Sequence, residues 1–177
     1  MGVFVLRKLS MALILALTTA LTALSVPTAA HASDKAPVVP SSGVTYWVEK
    51  NPPPPSEKAL KIAAEMQESV KPFARGGGCK NTGSLGVCVS WTNSQLKGDF
   101  YVNSWGGNAQ HYGTARVYIN YNGDLKYKYT VVTDHLGQYP LATHSTSGDG
   151  YGYTLVDTFN QNGSSIGGGS SPFQYFR

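Results

Sequence analysis

Glutamate does not occur after Glu68, cysteine occurs only twice, and Asp, Glu, Lys and Arg together make up 14% of the chain. Each shortage narrows the field. Without glutamate, paired-carboxylate catalysis in the C-terminal part would have to use Asp99, Asp124, Asp134, Asp149 or Asp157. Turn chemistry already accounts for Asp99, Asp124 and Asp149, since aspartate side chains bond neighbouring backbone beside flexible glycines. Two thiols cannot supply the four ligands of a structural zinc site, and Cys79 and Cys88 stand too far apart for a C-x-x-C redox pair. Residues 33–177 hold twelve Lys and Arg scattered among ten Asp and Glu, whereas a nucleic-acid binder clusters its cations. No nucleic-acid partner is expected. No internal repeat is visible, and no catalytic residue, metal ligand or cofactor is assigned.

Three motifs resemble chemistry and fail on context. Gly163-Ser164-Ser165-Ile166-Gly167 has the spelling of a nucleophile elbow, but that elbow needs a following helix, then an acid and a histidine, and residues 166–177 contain no Asp, Glu or His. Gly148-x-Gly150-x-Gly152 precedes a strand rather than a helix, so it is no phosphate cradle. After residue 32 the histidines are His111, His135 and His144. None lies in a zinc-binding helix pattern; Asp134 beside His135, with Asp157 or Asp149 elsewhere, would supply a base and its orienter only if the fold assembled them, and a solvent-facing or hydrogen-bonded structural histidine is expected for each. Asn162-Gly163-Ser164 spells a glycosylation acceptor and carries no weight without a known host.

What is present begins with an export signal. Arg7 and Lys8 precede an Ala- and Leu-rich apolar run that ends at Ala30-His31-Ala32, which places a secretory signal peptide over residues 1–32. No later apolar run is long enough to span a bilayer, so no stable membrane anchor is expected after cleavage. Residues 33–55 read as a flexible segment with a stiff joint at Pro52 to Pro55, because each proline fixes φ and lacks a donor. Residues 44–49 alternate and suit a strand. Residues 56–71 form an amphipathic helix capped by Ser56, with Ala59, Leu60, Ile62, Ala63, Ala64, Met66 and Val70 on one broad arc. That arc covers one side of a β-domain, unless 33–75 is a removable pro-segment, a status left open by the exposed-looking glycines at 76–78.

Residues 76–177 form the β-domain, in which Cys79 and Cys88 make a disulfide. Closing that ten-residue loop contributes about 2.5 to 3 kcal/mol. Strands are expected at 87–92, 99–105, 114–121, 124–133, 141–146, 151–159 and 172–176, with a tight hairpin at Gly148-Asp149-Gly150 and a flexible loop over 167–171. Seven or eight short strands without intervening helices indicate a mainly β fold, an antiparallel β-sandwich or barrel preceded by one amphipathic helix.

The chain is organised around the hairpin of residues 115–132, whose turn contains Asn122-Gly123. A two-residue turn would set Ile119 opposite Lys126 and Val117 opposite Lys128. A three-residue loop with Gly123 in a bulge instead pairs Ile119 with Leu125, Val117 with Tyr127 and Ala115 with Tyr129, and this register is preferred because it keeps one face apolar. The other face, with Arg116, Tyr118, Asn120, Lys126, Lys128 and Thr130, is then wet or binds something.

Residues 76–177 carry ten Tyr, two Trp and four Phe beside few charges. The structural account is that tyrosine suits strands and supports a small core. The functional account is an aromatic and amide surface, with Tyr101, Trp105 and Tyr118 as candidate ligand-binding residues and Trp91 assigned to the core. The general look is that of small exported bacterial β-proteins with one cysteine pair, a resemblance of composition only. The function expected is a secreted, monomeric, non-catalytic protein binding cell-wall, polysaccharide or peptide ligands. The alternatives are a secreted inhibitor or small antimicrobial toxin, and then an unrecognised hydrolase.

Overall fold

The computed structural model describes residues 43–69, 77–105 and 113–177; the expected signal peptide and the tail before residue 43 lie outside them. In chain order the elements are β1 (Tyr46–Trp47), α1 (Glu57–Ser69), β2 (Gly78–Asn81), β3 (Leu85–Thr92), β4 (Gln95–Val102), β5 (Gly113–Tyr121), β6 (Asp124–Thr133), β7 (Gly137–Gln138), β8 (Ala142–Ser145), β9 (Gly150–Phe159), β10 (Ser165–Ser170) and β11 (Gln174–Phe176). They build two antiparallel sheets. The first runs β1-β6-β5-β9-β10, with β11 also on β9, and the second runs β2-β3-β4-β7, with β8 also on β4. The fold is the expected mainly β sandwich, with a single helix among the described residues.

Both sheets turn an apolar face inward. Ala115, Val117, Ile119, Tyr129, Val131, Val156 and Phe176 of the first sheet meet Leu85, Val87, Val89, Leu96, Phe100 and Val102 of the second in one core. Three inward-facing glycines let the sheets approach. A Cβ on Gly98 would fall 2.1 Å from Thr154 Oγ1, one on Gly152 would fall 2.3 Å from Leu96 Cδ1, and one on Gly169 would fall 2.7 Å from Val87 Cγ2. Trp91 is partly buried and stacks on Phe176, their ring centroids 5.7 Å apart, so it belongs to the core as expected.

The hairpin register differs from the expected one. The turn is the two-residue form, with Asn122 at φ 51° and Gly123 at φ 93°, and Tyr121 pairs with Asp124, Asn120 with Leu125, Ile119 with Lys126 and Tyr118 with Tyr127. A bulge then leaves Lys128 unpaired, and Val117 pairs with Tyr129. The bulge resets the phase. Leu125 and Tyr127 therefore face outward, while Tyr129 and Val131 return to the sandwich core. Alternation could not choose the register here because the outer face is apolar as well.

Around Tyr118 that outer face is covered rather than wet. Ala59 and Ala63 of α1 are buried against Tyr118, Tyr153 and Leu155, with Leu125, Tyr127 and Phe173 packed around them. Small alanines allow the helix to sit close, while Leu60 and Ala64, expected on the buried arc, are exposed. The proline run is a strap rather than a joint. Tyr118 Oη donates to the Pro53 carbonyl at 3.1 Å, Glu49 N donates to Tyr127 Oη at 3.2 Å, and β1 pairs with β6. Residues 44–69 are thus integral to the fold.

Two further expectations are corrected. The glycine-rich run at 167–171 is not a flexible loop: it supplies most of β10, whose glycines suit the close packing of β9, β3 and α1. Gly148-Asp149-Gly150 does not close a hairpin, because β8 pairs with β4 and β9 pairs with β5, so the turn carries the chain from one sheet to the other.

Candidate functional site

Alternation along β9 and β11 places an aromatic cluster on the outer face of the first sheet. Tyr151 and Tyr153 stand two residues apart on β9, Phe173 and Tyr175 two apart at β11, and Tyr175 pairs directly with Tyr151 across the two strands. Side chains two apart on a strand share a face. The Phe173 ring lies edge-on to both tyrosines, at 5.3 Å and 81° to Tyr151 and 5.4 Å and 86° to Tyr153, and Tyr175 is tilted against it at 6.0 Å. Such perpendicular contacts match positive ring edges to negative ring faces.

These four rings line a cavity of about 320 Å³ together with Asn120, Gly123 and Gln67. Among the described residues no charged side chain lines it. Asn120 projects from β5, where it pairs with Tyr153 of β9, and Gln67 reaches in from the last turns of α1. Burial raises the Tyr153 pKa, and a hydrogen bond with Gln67 works against that shift. The phenol therefore stays protonated at neutral pH and can both donate and accept. Tyr175 is 37% exposed, so the rim is accessible. Chemically this arrangement offers ring faces, hydroxyls and amides to an uncharged ligand.

The residues singled out from the sequence do not converge. Tyr118 is 2% exposed and holds the strap, so it presents no face to a ligand. Tyr101 lies half-buried on β4, its pKa raised by burial and then by the neighbouring Asp99. Trp105 packs against the sandwich core and lines a separate cavity of about 120 Å³ with Thr82, Ser84 and Thr133. The aromatic cluster had a signal in the sequence, the two Tyr-x-Tyr and Phe-x-Tyr spacings, but pairing them requires knowing that β11 lies beside β9. Cys79 and Cys88 do form the expected disulfide, as direct cross-strand partners of β2 and β3.

Several other polar groups have structural partners. Ser165 lies beside Asp157, which is fully buried: Asp157 Oδ2 accepts Ser56 N at 2.7 Å, and its Oδ1 lies 2.9 Å from Ser56 Oγ and 3.0 Å from Ser165 Oγ. Ser56 Oγ also accepts Ala59 N at 3.2 Å, the N-cap bond of α1. Arg116, opposite Asp157 across β5 and β9, lies 4.4 Å over the Phe159 ring and 3.8 Å from Glu49 Oε1. His135 Nδ1 is 2.8 Å from Asp134 Oδ1, and its ring stacks on Tyr139. His144 Nδ1 is 3.1 Å from Lys128 Nζ, and its pKa is lowered by burial and then by Lys128 and Lys126. His111 lies outside the described residues. Among the described residues no helix is long and apolar enough to cross a membrane.

No family model matches this chain, and no curated protein or solved structure matches it.

Proposed function

We propose that this chain is a secreted, non-catalytic binding protein whose ligand site is the cavity between Tyr151, Tyr153, Phe173 and Tyr175. The observation that carries the reading is the lining itself, four aromatic rings and two amides without one charged side chain among the described residues. Aromatic-lined concave sites with a few placed polar groups are the usual form of small-ligand pockets. The scaffold beneath is rigid, since β9 is hydrogen-bonded on both sides, to β5 and to β10 and β11. Export is supported by the signal-like N-terminus and by the disulfide, a bond that persists in oxidising compartments.

The test is retention of the purified mature chain on insoluble polysaccharide or cell-wall material at low and high salt. An uncharged site holds its ligand when surface charges are screened. Retention should be unchanged between about 0.05 and 1 M salt and should fall at least tenfold in Phe173→Ala and Tyr175→Ala. Retention abolished by salt, or kept in both variants, would move the function away from this cavity.

A further inference from the structure

Resting on that reading, we infer that the cavity takes a sugar ring of a neutral saccharide and that Asn120 is the residue that orients it. Asn120 is only 3% exposed, yet it lines the cavity. Its Oδ1 is already used, accepting Gly123 N at 3.1 Å within the hairpin turn. Its Nδ2 carries two donors and has no hydrogen-bond partner among the described residues. That nitrogen is not sealed from solvent, and the residue that carries it lines the cavity. A buried amide held at one end and open at the other is a preset donor. It requires an acceptor from whatever enters.

The rest of the lining narrows the ligand. With no charged side chain among the described lining residues, neither an anion nor a cation finds a partner there. Phenols donate and accept, as sugar hydroxyls do, so Tyr151, Tyr153 and Tyr175 match a hydroxylated ring edge. The faces of Phe173 and the tyrosines match its C–H surfaces. An extended peptide fits less well, because Asn120 and Tyr121 of β5 pair with Tyr153 and Gly152 of β9 directly under the cavity. Those backbone groups are consumed by the ladder and cannot take up an added strand, which leaves β11, paired only with β9, as the one nearby strand among the described residues with an unpaired edge. The volume, about 320 Å³, is at the small end of ligand pockets and suits one or two rings rather than a protein loop.

The experiment uses the mature chain with cellotetraose, maltotetraose and chitotetraose as saccharide probes and a neutral proline-rich decapeptide as the peptide arm. Binding is followed by calorimetry and by saturation-transfer NMR. Asn120→Asp keeps the oxygen that accepts Gly123 N–H and removes both donors; it should weaken saccharide binding at least tenfold, equivalent to about 1.4 kcal/mol. Gln67→Ala, on an exposed helix position, should weaken it at least threefold, and if Asn120→Asp does not fold, a shift of the Asn120 side-chain amide protons of the unaltered chain on adding saccharide decides the role of Asn120, no shift overturning it. Saccharide binding unaffected by either variant, or no saccharide bound at all, overturns the inference. If the peptide alone binds and Phe173→Ala abolishes it, the saccharide assignment falls while the aromatic site stands. If neither class binds, or binding survives Phe173→Ala, both fall.

Discussion

The Tyr118 hydroxyl donates to the Pro53 carbonyl across 3.1 Å, joining the middle of the central strand to a segment 65 residues earlier in the chain. Prolines have no N–H to give, but their carbonyls remain acceptors, and a tyrosine standing out from a sheet can reach one. Burial pushes the Tyr118 pKa up, which keeps the proton on the donor. The contact turns four prolines into a strap across the outer face of the first sheet.

Tyr118→Phe should cost about 0.5 to 1.5 kcal/mol, the net worth of one hydrogen bond, and leave the ring packing intact. Tyr118→Ala should cost about 3 to 5 kcal/mol, because it also opens a cavity under α1. Urea unfolding measures both. Equal losses in the two variants would show that the ring matters and the hydroxyl does not.

Asp157 links the start of α1 to β9 and β10 through Ser56 and Ser165. Its replacement by alanine leaves one backbone N–H and two hydroxyls without their acceptor, and the expected loss is about 3 kcal/mol. The helix should loosen first. Hydrogen exchange of the α1 amides, rising in Asp157→Ala while the β3 and β4 amides stay protected, is the signature; uniform loosening would place the role of Asp157 elsewhere.

Gly98→Ala should destabilise by about 1 to 3 kcal/mol, since its Cβ would overlap Thr154 Oγ1 between two packed sheets. Thr154 Oγ1 is buried and has no hydrogen-bond partner among the described residues, so removing it sacrifices no bond seen there. The double variant Gly98→Ala/Thr154→Ala should therefore recover part of the loss. Strict additivity of the two single changes would disprove the steric coupling.

His144 has a folded pKa below its unfolded value near 6.5, with burial the larger cause and Lys128 and Lys126 next. The unfolded chain therefore takes up the proton first as pH falls. Stability from this group is complete above the unfolded value and declines as pH drops toward the folded one. Lys128→Met should raise the His144 pKa without restoring it fully, because burial remains. An NMR titration of the His144 ring reads this directly, and an unchanged value would remove Lys128 as a cause.

Local chemistry was enough for several features. Ser56 caps its helix through a bond three residues away, Asn122-Gly123 makes its tight turn from the φ preferences of two residues, and Cys79 and Cys88 had no competing partners. The strand at Asp124–Thr133 likewise followed from its β-branched and aromatic composition. Long-range packing decided the rest. Whether Tyr127 faced the sandwich or the helix depended on a bulge at Lys128, and either register buried apolar groups because both faces of the first sheet are covered. The run at 167–171 became a strand only because β9 offered it a partner and neighbouring layers needed its missing side chains. The aromatic cavity arose in the same way: Tyr151 and Tyr153 meet Phe173 and Tyr175 because Tyr151 pairs with Tyr175, 24 residues on, and periodicity within one strand carries no information about which strand will lie beside it.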